Sequence, residues 1–421
     1  MEQHSNISIE QLALQRDRYR HLSDEEWRWF LQQVEGRERT ADKLPTFAAI
    51  DDWWYPVRLS CEQCSSELSA RYKAQIVLGT WSNGTCLDLT GGYGVDAFFL
   101  SELFAHTDYV EQNAELCRIA AHNFALAHRN ISVHNTSAEA FLSSPLHGGI
   151  EGGVHLIFLD PARRDSHGGK VFRLADCTPN VVELLPSLLS HLAPDGRILF
   201  KLSPMLDLTQ AIKELSAVST QHSGIIWDVH VVAVKNEVKE VLLMSRNAEL
   251  SNYRDTDLSN YQDTEPTITA IDLSKKEQAF TFTREEEREA ISLPLQGELE
   301  GAFLYEPNAA ILKAGAYKLI ASRFGLQKLD PNTHLYTSNT LVENFPGRVW
   351  CIKEVPFQLS PKGARDKQAN VLTRNYPLTP EQLKKKLHLR DGGAAYVIAC
   401  RVAGKPTVFL AERVEDIHSE S

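Results

Sequence analysis

Several features that would place the chain in other protein classes are missing from its 421 residues. No stretch of about 18 consecutive apolar residues occurs, so no transmembrane helix is predicted. The N-terminal sequence, from Met1 to Ser5, is polar and lacks the apolar segment of a secretory signal peptide. The seven cysteines are scattered and odd in number, which favours reduced thiols over a disulfide framework. These absences predict a cytoplasmic protein that does not enter a membrane.

The ligand spacing of a structural metal site is also missing. Cys61 and Cys64 form the only CxxC sequence, and neither a second cysteine pair nor a histidine pair follows at zinc spacing. Two residues of an ordinary helix are the simpler interpretation of this pair, and no metal site is predicted.

Positive charge is scarce over most of the chain. The net charge is −11, which argues against indiscriminate nucleic-acid binding. The stretch from Pro356 to Lys405 is the exception. Its ten lysines and arginines and three acids give it a net charge of +7, which leaves −18 for the remainder. A basic module on an acidic body can bind a polyanion locally.

Hydrophobic periodicity predicts helices at the N-terminus and alternating strands and helices after it. In the first 75 residues Ser23 and Glu26 form a capping box, and the aromatic cluster from Trp53 to Tyr55 is predicted to pack against the next domain. Strands are predicted at 85–89, 108–111, 131–134, 154–160, 197–201, 227–234 and 240–244, with helices at 95–104, 114–127, 180–192 and 208–215. Such alternation indicates a mostly parallel sheet, and the short connection between the last two strands indicates an antiparallel hairpin.

A glycine-rich turn follows the first of these strands. An apolar run ends at Asp88, Gly91-Gly92-Tyr93-Gly94 comes next, and an amphipathic run begins at Val95. Strand, tight turn and helix are the order that cradles a nucleotide-like ligand. A dinucleotide-binding dehydrogenase would have the Gly-x-Gly-x-x-Gly spacing, and no third glycine follows Gly94. The turn therefore favours S-adenosylmethionine, whose carboxylate can meet the loop amides.

Four elements in order make residues 84–246 resemble the class I S-adenosylmethionine-dependent methyltransferase fold. They are the acidic strand end with its glycine loop, the acid Glu111 closing the next strand, Ser137-Ala138-Glu139 after the third strand, and Asp160-Pro161 ending the fourth. The resemblance implies a Rossmann-like α/β sheet that is mostly parallel with one antiparallel strand. It also implies that S-adenosylmethionine is held by Asp88, Thr90, Gly91, Gly92, Gly94, Asp96, Glu111, Gln112, Ala138 and Glu139.

The same resemblance places the methyl acceptor beside Asp160, Pro161 and Arg163, which are the candidate catalytic residues. Methyltransferases of exocyclic amines often have an aromatic residue after this Asp-Pro, and here Ala162-Arg163 stands instead, which puts a base amine in doubt. Uracil-C5 methyltransferases need a cysteine after the fifth strand, where this chain has Lys201-Leu202-Ser203. Arg163 and Arg164 could hold a phosphate or form a salt bridge with a surface acid.

The C-terminal half resembles the ferredoxin-like and THUMP-like pair that follows a methyltransferase domain in a family of bacterial proteins. The sequences from Glu306 to Ala310 and from Asn370 to Tyr376 carry this resemblance. THUMP modules bind RNA, typically tRNA, so RNA is the expected partner. The candidate RNA-binding residues are Arg164, Lys362, Arg365, Lys367, Arg374, Lys384, Lys385 and Lys386.

These patterns predict four regions and one leading function. The regions are an N-terminal helical region (1–75), a class I methyltransferase domain (76–247), a linker with a ferredoxin-like domain (248–336) and a THUMP-like α+β domain (337–421). The leading function is S-adenosylmethionine-dependent methylation of tRNA or rRNA. Two alternatives remain open, namely a methyltransferase of a protein or small molecule, and a cofactor-binding RNA adaptor without catalysis.

Overall fold

The computed structural model describes residues 9–77, 81, 84–144, 153–163, 173–219, 225–247, 265–274, 279–357 and 368–414. The chain divides into two compact units, one formed by Met1–Asp228 and Leu242–Thr264, the other by Val229–Val241 and Glu265–Ser421. Among the described residues, no helix is long and apolar enough to cross a membrane.

The first unit begins with helices. Ser23 and Glu26 form the predicted capping box, because each side chain accepts a hydrogen bond from the other residue's backbone N–H. A 3₁₀ turn, Arg16–Tyr19, lies between the first two helices. The helices are α1 (Ile9–Ala13), α2 (Asp24–Thr40), α3 (Pro45–Ala48), α4 (Arg58–Gln63) and α5 (Glu67–Val77).

Strands and helices then alternate as predicted. Apolar strands buried on both faces and helices with one apolar face produce this layered arrangement. The strands are β1 (Thr85–Asp88), β2 (His106–Glu111), β3 (Ile131–Asn135), β4 (Val154–Leu159), β5 (Ala162–Arg163), β6 (Cys177–Thr178), β7 (Leu192–Leu202), β8 (Ile225–Val234) and β9 (Glu237–Asn247). The helices are α6 (Val95–Leu100), α7 (Ala114–Leu126), α8 (Ala138–Ser143), α9 (Val181–His191) and α10 (Leu208–Ser219).

The main sheet of this unit has the strand order β8-β9-β7-β4-β1-β2-β3. The β1–β2, β2–β3, β1–β4 and β4–β7 pairs are all parallel, so their carboxyl ends share one edge. Only Lys235 and Asn236 connect β8 to β9, and both have positive φ. A two-residue turn of that kind makes an antiparallel hairpin, as the sequence predicts.

The second unit contains Val229–Val241 and the rest of the chain from Glu265. Within it β10 (Thr267–Asp272) runs parallel to β8, and β11 (Phe280–Thr283) runs antiparallel to β10. The helices of this unit are α11 (Arg284–Glu289), α12 (Ala309–Ala314), α13 (Leu319–Phe324) and α14 (Pro380–Lys386). Asn308 and Thr379 cap α12 and α14 through their side chains.

A second sheet forms the main body of this unit. Its order is β12-β14-β15-β13-β16-β19-β18-β17. The strands are β12 (Leu293–Pro294), β13 (Phe303–Pro307), β14 (Gln327–Asp330), β15 (Thr333–Ser338), β16 (Gly347–Glu354), β17 (Asn370–Arg374), β18 (Ala395–Val402) and β19 (Lys405–Arg413). Two apolar clusters pack around the sheet. One includes Trp350 and Phe409, and the other includes Leu383 and Val397.

A buried lysine connects the N-terminal helices to the strand–turn–helix of the first unit. Lys73 of α5 is fully buried, and its Nζ lies 3.0 Å from Oδ1 of Asp96 in the first turn of α6. It also donates hydrogen bonds to Ser65 and Ser69, and Ser65 donates to Oδ2 of Asp96. Burial alone would raise the pKa of Asp96, but the ammonium groups of Lys73 and Lys201 outweigh it and lower that pKa.

Lys73→Met should destabilise the protein by about 3–5 kcal/mol, because it leaves the Asp96 carboxylate buried without its main cation. Urea unfolding followed by circular dichroism measures this loss. The double variant Lys73→Met/Asp96→Asn should recover most of it, since no uncompensated charge remains. Arg58→Met breaks the exposed pair with Glu62 and serves as the control, with an expected loss of about 1 kcal/mol or less. A Lys73→Met loss as small as the control's would contradict this account.

Candidate active site

The glycine-rich turn lies at the carboxyl edge of the first unit's sheet, between β1 and α6. Gly92 and Gly94 have φ of +55° and +85°, a region that side chains rarely adopt. A Cβ at Gly91 would lie 2.1 Å from the ring of Tyr109, and one at Gly94 would lie 2.7 Å from the ring of Phe124. The turn therefore needs glycine both for its backbone conformation and for its close packing on β2 and α7.

The Asp88 carboxyl at the end of β1 is buried, with 1% of its surface exposed. Its Oδ1 accepts a hydrogen bond from the Thr90 backbone N–H at 3.0 Å. Its Oδ2 is also buried and has no hydrogen-bond partner among the described residues. Burial raises the pKa of this carboxyl well above its ordinary value, and the nearby acids Asp96, Asp160 and Glu111 raise it further. A cationic or hydrogen-bond-donating ligand group would satisfy this oxygen.

Glu111 at the end of β2 fastens the turn to the next helix. Its Oε2 accepts the Gly92 N–H at 2.9 Å, and its Oε1 accepts the Asn113 N–H at 2.7 Å. The Asn113 side chain caps α7, and Glu111 stabilises this cap by accepting the Asn113 N–H. Each carboxylate oxygen retains a second lone pair, so Glu111 could still accept ribose hydroxyls. The neighbouring Gln112 side chain is exposed.

The third predicted contact lies at the start of α8. Ser137 caps this helix by accepting the Ala140 N–H at 3.1 Å. Ala138 is buried and Glu139 is exposed. The positions follow β3, which is adjacent to β2 in the sheet, so they belong to the same edge as Glu111. Contact with adenine remains a prediction for both residues.

Asp160 follows β4 and is hydrogen-bonded to residues at the ends of two neighbouring strands. Its backbone N–H donates to Thr90 Oγ1 at 2.6 Å, which joins the β4 end to the β1 end. Its Oδ2 accepts a hydrogen bond from the Lys201 ammonium of β7. The Asp160 side chain is 37% exposed, whereas that of Lys201 is only 13% exposed. At this edge the Asp160 carboxylate is therefore partly accessible and is paired with the ammonium group of Lys201.

The structure describes the remaining candidate residues of this loop only in part. Pro161 is buried, and Ala162–Arg163 pairs antiparallel with Cys177–Thr178. The Arg163 backbone is thus placed in β5. Arg164 lies outside the described residues.

Two lysines near the candidate site were not predicted from the sequence. Lys201 is charged within an apolar strand, and Lys73 occupies the buried face of α5. Charge at a position where the hydrophobic pattern expects an apolar residue was the available signal in both cases.

The aromatic cluster packs on the glycine-rich turn, as predicted. Trp53 is buried and its Nε1–H donates to the Tyr93 hydroxyl at 2.9 Å. Tyr93 in turn donates to the backbone carbonyl of Trp54. The N-terminal region thus fixes the turn through aromatic contacts as well as through Lys73.

The cysteine pair lies in and just after α4. Cys64 Sγ donates to the Cys61 carbonyl at 3.2 Å, and burial raises the pKa of Cys61 to about 12 and also raises that of Cys64. Both are therefore thiols at neutral pH. The described part of the chain contains no group of histidines, cysteines and acids suited to a metal ion.

The basic candidates of the C-terminal module have different surroundings. Lys384 pairs with Asp391, whereas Lys385 and Lys386 are exposed in the last turn of α14. Arg374 pairs with the buried Glu306. Three further candidates, Lys362, Arg365 and Lys367, lie outside the described residues.

Comparison with known structures identifies the family. The protein is 32% identical to the crystal structure named "putative methyltransferase from Porphyromonas gingivalis W83", with a TM-score of 0.76. The match covers 93% of this chain and 92% of that one. The chain belongs to this methyltransferase family. Family models for a ferredoxin-like domain and for a THUMP domain-like region match residues 303–346 and 347–413 of the methyltransferase.

Curated relatives agree with this assignment. Two "uncharacterized S-adenosylmethionine-dependent methyltransferases" from Mycobacterium tuberculosis strains are each 23% identical to the methyltransferase over 387 residues. Each match covers 89% of this chain and 92% of the relative. The predicted class, an S-adenosylmethionine-dependent methyltransferase with C-terminal ferredoxin-like and THUMP-like domains, is confirmed. The four domain boundaries and the individual site residues stay predictions.

Asp88→Asn should stabilise the ligand-free methyltransferase. Because burial raises the folded-state pKa of Asp88, ionising this carboxyl costs folding free energy. The cost is absent below the unfolded-state pKa of about 3.9 and grows as pH rises toward the folded-state pKa. We expect the variant to melt at a higher temperature than wild type at about pH 8. The gain should shrink as pH falls toward about 4.

Differential scanning fluorimetry across this pH range measures the effect. The exposed Asp42→Asn variant is the control and should follow wild type at every pH. The same Asp88→Asn variant should bind S-adenosylmethionine at least about tenfold more weakly by calorimetry, since it lacks a charge for the cationic ligand. If wild type and Asp88→Asn melt at the same temperature over the whole pH range, ionisation of the buried Asp88 does not cost folding free energy.

Proposed function

We propose that this methyltransferase modifies RNA, of the tRNA or rRNA class, that its THUMP-like module binds. The observation that carries the proposal is the coincidence of the basic stretch with that module. Residues 347–413 match the THUMP domain-like family model, and the whole +7 stretch lies within them. The rest of the chain carries −18, so a polyanion would be attracted to this module and repelled elsewhere.

The methyl donor is bound, in this proposal, at the carboxyl edge of the first unit's sheet. Asp88 supplies the buried carboxyl oxygen that lacks a partner, and Glu111 supplies acceptors for the ribose hydroxyls. Gly91, Gly92 and Gly94 allow the tight turn that packs on β2 and α7, and its backbone would meet the ligand. Thr90, Asp96, Gln112 and the start of α8 at Ala138 and Glu139 complete the predicted set. These groups together carry a net negative charge, which attracts a ligand that has sulfonium and ammonium groups.

Asp160 positions the acceptor in this proposal. Bound S-adenosylmethionine supplies a methyl group already activated by its sulfonium, so the chain's main task is alignment of the nucleophile. Lys201 occupies Oδ2 of Asp160, and the partly exposed carboxylate can accept a hydrogen bond from an acceptor N–H or O–H. The turn at Thr90 fixes the Asp160 backbone beside the cofactor edge. Pro161 and Arg163, which follow Asp160 in the chain, are the other two predicted catalytic residues.

The direct test uses RNA from a strain that lacks this protein. The purified full chain is incubated with radiolabelled S-adenosylmethionine and that RNA, and nucleosides are then identified by mass spectrometry. We expect label in one nucleoside of this RNA and little in RNA from the parent strain, where the site is already methylated. Protein and small-molecule fractions of the same strain are assayed in parallel, and label only in those fractions would replace the RNA proposal with the second alternative. Cofactor binding without any transfer would favour the adaptor.

Asp160→Ala should lower methyl transfer at least about a hundredfold, because misplaced acceptors lose the benefit of alignment. Cofactor affinity measured by calorimetry should stay within a few fold, since the carboxylate serves the acceptor. Asp160→Asn tests whether an uncharged acceptor oxygen suffices. The exposed Asp176→Ala is the matched control and should retain activity. Full transfer by Asp160→Ala would remove Asp160 from the mechanism.

A further inference from the structure

A buried carboxylate in the second unit holds two arginines side by side. Glu306 of β13 is 3% exposed. Its Oε2 accepts Nε–H of Arg348 at 2.9 Å and a second bond from Nη2 of the same side chain. Its Oε1 accepts Nε–H of Arg374. Glu306, itself buried in the core, therefore fixes the guanidinium planes of both arginines.

The arrangement leaves an excess of one positive charge at the surface. Arg374 Nη1 donates to the Thr373 carbonyl. Among the described residues these bonds leave Nη1 of Arg348 and Nη2 of Arg374 without an acceptor. The two side chains are 28% and 39% exposed, so these amino groups belong to partly accessible cations. Two fixed guanidinium groups with spare donors match the several oxygens of a phosphate.

The other cations of the module differ from this pair. Lys384 is neutralised by Asp391, and Lys385 and Lys386 are exposed side chains on a short helix. A lysine must lose rotamer freedom when it binds, whereas Arg348 and Arg374 have already lost theirs to Glu306. The fixed pair is thus the better candidate for a defined contact, and the lysines for diffuse attraction.

We propose that Arg348 and Arg374 form a preorganised seat for a phosphate group of the RNA. The inference rests on the proposed RNA function, which supplies the phosphate. Glu306 acts as the positioning residue, because it orients both guanidinium groups without meeting the ligand. Arg374 was predicted from the sequence as an RNA contact, but neither Glu306 nor Arg348 was.

The test measures binding of labelled total tRNA to the full chain by fluorescence anisotropy over a range of salt concentrations. Arg374→Gln and Arg348→Gln should each weaken binding roughly tenfold, as loss of a charge-assisted contact implies. Each should also reduce the slope of log affinity against log salt by about 0.7–0.9. Lys405→Gln removes one exposed charge from the same module and should change affinity by about twofold or less.

Folding is checked separately, because removing an arginine leaves Glu306 with one partner. Arg374→Lys keeps the positive charge but loses the outer amino group, so it should melt near wild type and still bind tRNA more weakly. Thermal unfolding of every variant identifies any that fails to fold. Loss of tRNA binding in a folded Arg374→Lys protein would support the phosphate seat.

Other outcomes overturn the inference in distinguishable ways. If the arginine variants bind tRNA with the affinity and salt slope of wild type, the phosphate seat is refuted, whereas the proposed RNA function is not. A wild-type chain that binds no tRNA at low salt would remove both. If calorimetry with inorganic phosphate then showed binding that Arg374→Gln abolishes, the seat would serve a free phosphate. If polyglutamate displaced labelled tRNA as effectively as unlabelled tRNA does, the arginine pair would belong to a general anion-binding surface.

Discussion

The concentration of carboxylates at one sheet edge is the constraint on which the first unit depends. Three acids, Asp96, Glu111 and Asp160, lie within electrostatic reach of the buried Asp88. Like charges so placed repel each other, and burial increases the cost. Two lysines offset part of it, Lys73 through Asp96 and Lys201 through Asp160. The unbalanced remainder, centred on Asp88, suits a cationic ligand.

This charge balance explains why the N-terminal helices are part of the site's architecture. The buried ammonium of α5 reaches the first turn of α6, and Trp53 hydrogen-bonds to the turn itself. A helical segment that merely preceded the sheet would need neither contact. The ligand edge is therefore shaped by residues that precede β1 in the chain, and a methyltransferase sheet alone would leave the Asp96 carboxylate without its main counter-ion.

The sequence predicts the sheet and its acids because local patterns carry them. Alternating apolar runs define β1 to β4, and Asp88, Glu111 and Asp160 stand where those runs end. Lys73 and Lys201 interrupt apolar patterns in the sequence, but spacing along the chain does not identify the acids that they pair with, because those partners lie across the fold. The charge count of the C-terminal module has the same weakness. It omits Glu306, which lies outside the stretch from Pro356 to Lys405, although the fold pairs this acid with Arg374.

In the proposed mechanism, the contacts of Asp160 also limit the acceptor chemistry. Uracil-C5 methylation needs a thiolate. Cys177, whose strand pairs with Ala162–Arg163, is a buried thiol because burial raises its pKa. Asp160 instead offers a carboxylate with Oδ2 held by Lys201, and a carboxylate anchored in this way accepts hydrogen bonds. Nitrogen or oxygen nucleophiles that carry a hydrogen meet that requirement. No aromatic residue follows Pro161 directly in the sequence, so in the proposed RNA reaction stacking within the RNA itself would hold the plane of the acceptor base.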